Sequence, residues 1–185
     1  SANESDDKPF FAYIPFQAVH MPVQAPREFS DKYAGVYDLG WTVMREQRRL
    51  AAEEVGVIPE NTKSIVTPGT LDWDNLTDEQ RAHHARRMEV YAGMVDAMDM
   101  HIGRLMAYLE SIGEYENTIF IFTSDNGAEG SPLINPTANS VLDPWFESVG
   151  YETGIENLGE KGSWVGIGPS NATVAASPLA YYKFH

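Results

Sequence analysis

Asn117-Thr-Ile-Phe-Ile-Phe-Thr-Ser-Asp-Asn-Gly127 is the stretch on which the fold class turns. Ile119, Phe120, Ile121 and Phe122 follow one another with no polar interruption. A strand with one wet face alternates apolar and polar residues, whereas a strand covered on both faces has no solvent side to mark. The run therefore predicts a buried strand of a parallel sheet. It stops at Ser124-Asp-Asn-Gly127, and ligands of open α/β sheets bind beyond the carboxyl ends of strands. Asp125 and Asn126 offer a carboxylate and an amide oxygen there, which are donors suited to calcium or magnesium. Asp-Asn-Gly is also ordinary turn chemistry, with Gly127 allowing a tight reversal. Both readings stand at this point.

The chain before this strand predicts a long helix over about 78–112. Thr77-Asp-Glu-Gln80 is a capping box, in which Thr77 caps the first turn and Gln80 reaches back. Met88, Tyr91, Met94, Val95, Met98, Ile102, Leu105, Met106 and Leu109 then recur at spacings of three and four, which is one apolar stripe. Gly113 suits a left-handed cap. The methionines read as core fillers and not as a cofactor box. His83-His84 reads as part of the polar helix start, and adjacent residues do not share a face to grip a metal. Helix, short loop and buried strand together predict an α/β fold, with a mostly parallel sheet flanked by helices.

A second unbroken apolar run, Phe10-Phe-Ala-Tyr-Ile-Pro-Phe16, predicts a second buried strand ended by Pro15. His20 follows it in a loop. If the two strands are parallel neighbours, His20 and Asp125-Asn126 arrive at one sheet edge, where a histidine can protonate a leaving group. Further helices are expected near 41–55 and 144–148. Between 131 and 180 the pattern is that of a long folded loop. Lys183 sits among Tyr181, Tyr182 and Phe184, which suggests partial burial. Trp145, Trp164 and the two tyrosines suit either an aromatic pocket or core packing.

The chain has 185 residues, with 13 basic and 27 acidic side chains and a net charge of −14. That balance repels nucleic acid and anionic membrane, so a general nucleic-acid binder is excluded. No apolar run approaches a membrane span. The absence of cysteine removes disulfides, zinc–thiolate sites and a cysteine nucleophile from these residues. An anionic substrate would need a local cation to overturn the global field, and bound metal is the obvious source.

Four segments, in chain order, resemble the bacterial arylsulfatases of the alkaline-phosphatase superfamily. They are Lys8-Pro-Phe-Phe-Ala-Tyr-Ile-Pro-Phe16 with Ala18-Val-His-Met-Pro22; Met88 to Asp99 with Ile102-Gly-Arg104; Thr118 to Gly130; and Tyr182-Lys-Phe184. The resemblance implies hydrolysis of a small sulfate ester. It implies that Asp125 and Asn126 are two calcium ligands, that His20 hydrogen-bonds the sulfate and helps protonate the leaving group, and that Lys183 neutralises a sulfate oxygen. Charge builds on the leaving oxygen in such a cleavage, so an acid and fixed cations stabilise the transition state.

The family's nucleophile is a formylglycine made within a Cys/Ser-x-Pro-x-Arg motif, which this chain lacks. The family's Asp-Asp pair and its first lysine and histidine after the nucleophile are missing too. Residues 1–185 therefore read as the central part of a sulfatase catalytic domain. They are expected to be inactive alone, to bind calcium weakly or not at all, and to need the rest of their own domain as partner. Two alternatives are a phosphomonoester or phosphonate hydrolase of the same superfamily and a non-catalytic scaffold. Asn126 favours the sulfatase, because the phosphate enzymes usually carry Asp-His there. Compartment, periplasm or cytoplasm, stays open.

Overall fold

The computed structural model describes residues 8–65, 70–131, 143–179 and 181–183. Five α-helices lie in these residues: α1 (Arg27–Ser30), α2 (Gly40–Glu54), α3 (Asp78–Ser111), α4 (Asp143–Ser148) and α5 (Gly168–Ala176). The helices expected near 41–55 and 144–148 are α2 and α4.

α3 forms as its sequence predicts. Thr77 Oγ1 accepts from Gln80 N at 3.2 Å, and Gln80 Oε1 accepts from Thr77 N at 3.0 Å, closing both arms of the capping box. Asp78 and Glu79 in the first turn complement the positive end of the helix. Gly113 takes a φ of 76° just past the last turn, a conformation that glycine adopts without a Cβ penalty. At 34 residues the helix is about 50 Å long.

Only its first half is rooted in the core. Residues 83–85, 87–90 and 92–94 are buried, and beyond them Leu109 alone among the described helix residues is. Met88, Val90 and Met94 pack with Val23, Trp41, Met44, Leu158, Val165, Ile167, Ala172 and Val174. α1 crosses α3 at Gly93, where a Cβ would lie 2.7 Å from Ser30 N, so only glycine lets the backbones approach this closely.

The pair His83-His84 is not on a polar helix face. Both rings are buried, with His84 edge-on to Trp41 at 5.0 Å between centroids. The capping turn directs α3 into the core from its second turn onward, so both imidazoles are buried, His84 against Trp41 of α2. Asn171 of α5 donates to the His84 carbonyl at 3.1 Å.

The expected parallel pairing of segments 10–16 and 118–123 is not seen among the described residues. Among the described residues there is no β-strand, only two isolated parallel bridges, Glu129 with Lys183 and Glu152 with Ser163. Segments 10–16 and 118–123 run free of any ladder, and their apolar side chains face water: Phe11 is 93% exposed, Ile119 88% and Ile121 86%. A strand needs a neighbour for its backbone groups and cover for its faces, and the described residues supply neither.

The region after 143 is more ordered than a loop. Phe146 of α4 stacks on Trp164 at 4.3 Å, with Tyr151 edge-on at 4.9 Å. Trp164 therefore belongs to a packing cluster, while Trp145 stays exposed.

Candidate functional site

Three segments converge beside the buried half of α3. The first is the loop after Phe16. His20 N donates to Gln17 O at 2.8 Å, closing a turn that presents the histidine to solvent. Beyond it, Val23 N donates to Val165 O at 2.8 Å and Ala25 N to Gly159 O at 3.0 Å, which ties the loop down. The His20 ring is oriented by the Met21 carbonyl, 2.7 Å from Nδ1. A carbonyl only accepts, so Nδ1 carries the proton, and Nε2 of the neutral ring is left as a base.

The second segment is the turn after 118–123. Ser124 Oγ donates to Asn126 O at 2.6 Å, and Asn126 Nδ2 donates to Gly127 O at 2.9 Å. The amide nitrogen is thus the end that bonds the protein, and the amide oxygen remains available to a cation. Asp125 and Asn126 are both exposed.

The third segment carries Lys183. Lys183 N donates to Ala128 O at 2.8 Å, and Gly130 N donates to Lys183 O at 3.3 Å. This bridge places residues 181–183 against the turn. A Cβ on Gly127 would sit 4.0 Å from both Tyr181 O and Tyr182 Cα. At Gly130 a Cβ would meet Tyr182 Cδ2 at 2.3 Å, so the tyrosine ring occupies the space that the glycine leaves. Lys183 is half-buried, as its aromatic neighbours suggest.

Glu129 links all three segments, and the sequence reading passed over it. It is the bridge partner of Lys183. It lines a shallow cleft with Val19 and Met21, the neighbours of His20, and with Val23, Tyr91, Gly166 and Ile167. Burial raises the Glu129 carboxyl above the usual range; the Ser131 N–H bond at 2.7 Å and the charges of Lys183 and His20 pull it back. The signal available in the sequence was an acidic residue between two small ones, directly after the turn.

Calcium takes six to eight oxygens, while Asp125 and Asn126 offer two side chains. Among the described residues no three His, Asp or Glu side chains gather as a metal site. The two donors are right in kind and too few in number to hold calcium by themselves. No helix among the described residues is long and apolar enough to cross a membrane.

A histidine and a lysine whose charges both reach Glu129, beside an oxygen-donor turn, suit an anionic substrate. The sulfatase family model matches residues 2–165, and the chain belongs to the sulfatase family. That membership implies an alkaline-phosphatase-like α/β fold. An uncharacterized sulfatase of Schizosaccharomyces pombe is 44% identical over 185 residues, covering 98% of this chain and 32% of that protein. An arylsulfatase of Klebsiella aerogenes is 35% identical over 176 residues, 95% of this chain and 37% of its own. A multifunctional alkaline phosphatase superfamily protein of Trinickia caryophylli is 26% identical over 67% of this chain. The chain thus spans about a third of the length of the first two relatives.

Proposed function

We propose that this chain is the central part of a sulfatase catalytic domain and that the whole protein hydrolyses a small sulfate ester to an alcohol or phenol and sulfate. The convergence of His20, Lys183 and the Asp125-Asn126 turn around Glu129, in a chain of this family, carries the reading. In the cleavage the bond from sulfur to the leaving oxygen breaks, and the electron pair stays on that oxygen. Protonated His20 gives its Nε2 proton to it, since Nδ1 is already committed to Met21. The Lys183 ammonium neutralises a sulfate oxygen as charge develops.

The nucleophile, a formylglycine, belongs to residues outside this chain. Asp125 and Asn126 contribute two ligands to a calcium ion whose remaining ligands also lie elsewhere. The chain alone has no turnover and binds calcium weakly; submicromolar calcium binding in a calorimetric titration contradicts this.

The test compares hydrolysis of an aryl sulfate and an aryl phosphate by the full-length protein that contains this segment. The sulfate is expected to be cleaved faster. His20→Ala is expected to lower kcat about 10²–10⁴-fold, the usual range for a lost acid, and Lys183→Ala about 10²–10³-fold, the range for a lost electrostatic stabiliser. Faster phosphate cleavage overturns the sulfatase reading in favour of a phosphate or phosphonate hydrolase, which the likeness to the Trinickia protein keeps in view.

A further inference from the structure

Glu129 is an odd residue to find at an anion site. Glu129 is the backbone bridge partner of Lys183, and residues opposed across a bridge project to the same face. Glu129 also borders the shallow cleft that Val19 and Met21, the neighbours of His20, line together with Val23, Tyr91, Gly166 and Ile167, and its carboxyl feels the charges of both proposed anion-binding residues. The bond from Ser131 N to Oε1 fixes it at the turn instead of letting it swing into solvent.

We propose that Glu129 is a specificity-determining residue that admits a singly charged sulfate ester and disfavours doubly charged anions, the inorganic sulfate product among them. The inference rests on the sulfatase reading above. A sulfate monoester carries one negative charge, whereas free sulfate carries two. Coulomb repulsion from one fixed carboxylate is twice as large for the dianion as for the monoanion at the same place. Once the ester bond is cut, the product carries an extra charge that Glu129 opposes, which promotes release. Dianionic phosphate monoesters meet the same barrier at binding.

The experiment measures equilibrium binding of inorganic sulfate and of methyl sulfate, a monoanion, to the full-length protein and its Glu129→Gln and Glu129→Asp variants. Aryl-sulfate hydrolysis is followed in parallel. Removing the charge in Glu129→Gln is expected to tighten sulfate about fivefold and methyl sulfate about twofold, the ratio that a doubled Coulomb term gives. Glu129→Asp keeps the charge and should keep the original preference. Equal changes for both anions, or none, overturn the proposal while hydrolysis still upholds the sulfatase reading. Loss of the preference in Glu129→Asp also overturns it, since charge alone would then not be the cause. Absence of anion binding by the unmodified protein overturns it as well. Hydrolysis failing while the charge-dependent preference persists overturns the sulfatase reading and leaves the charge assignment of Glu129 intact.

Discussion

Gly130 and the histidine pair show how single residues set the limits of this molecule. At Gly130 any side chain collides with the Tyr182 ring, and behind it with Ala172 of α5. Gly130→Ala is expected to cost about 1–3 kcal/mol, as overpacking usually does, and to push Tyr182 and Lys183 off the turn. Chemical denaturation reads the first effect; an unchanged midpoint would mean that the ring swings away freely. His83 and His84 act through their charge. Burial first, then the charge of Arg87, lowers each pKa to about 3, and the His84 nitrogens have no hydrogen-bond partner among the described residues. The native state therefore holds both rings neutral, while the unfolded chain protonates them near pH 6.5. Their contribution is complete above that pH and is lost as pH falls from about 6.5 toward 3. The slope reaches about 1.4 kcal/mol per pH unit for each ring. Urea unfolding at pH 7.5 and 5.5 should show a large loss, and a smaller one in His84→Gln. Equal losses in the two proteins would place the acid sensitivity elsewhere.

Helices and extended segments differ in how far the sequence reveals them. α3 was legible to within a residue at both ends because its signals are local: a capping box, a spacing of three and four, and a glycine stop. Thr77→Ala removes one arm of the box and is expected to cost about 1 kcal/mol. Circular dichroism during thermal unfolding measures this, and an unaltered melting temperature would mean that the tertiary contacts of the second turn alone hold the helix start. α5 went unread for a physical reason. Ser170, Asn171, Ala172, Thr173 and Val174 are all buried, so no polar face exists to generate a periodic stripe. The strand segments are a different case. Their residue types were correct for a sheet covered on both faces, but pairing depends on distant chain, and no composition rule names the partner. The site stood between these cases. His20, the Asp125-Asn126 turn and Lys183 stood out from their places beside apolar runs and took their roles from the family likeness, whereas Glu129 needed the bridge and the cleft to become visible.

Two opposing forces govern the molecule as a whole. A net charge of −14 keeps copies apart, while the bare extended segments 10–16 and 118–123 favour sticking edge to edge. Salt screens the first and leaves the second, so self-association of this chain should rise with ionic strength. Sedimentation velocity at low and high salt tests this, and Ile119→Lys with Ile121→Lys should keep the chain monomeric. Association that weakens with salt would implicate charge pairing. The length of α3 has a mechanical consequence. Its core contacts end near Met94, so the far end behaves as the tip of a lever whose fulcrum is distant. Over the roughly 25 Å from Met94 to the end of the helix, a tilt of about 2° moves the tip by nearly 1 Å, and a misplacement of that size can cost about 10²-fold in rate. The bonds from Lys183 to Ala128 and Gly130 cancel that error. They gauge the turn against the lysine beside which it must work, so the alignment no longer depends on how straight the lever is.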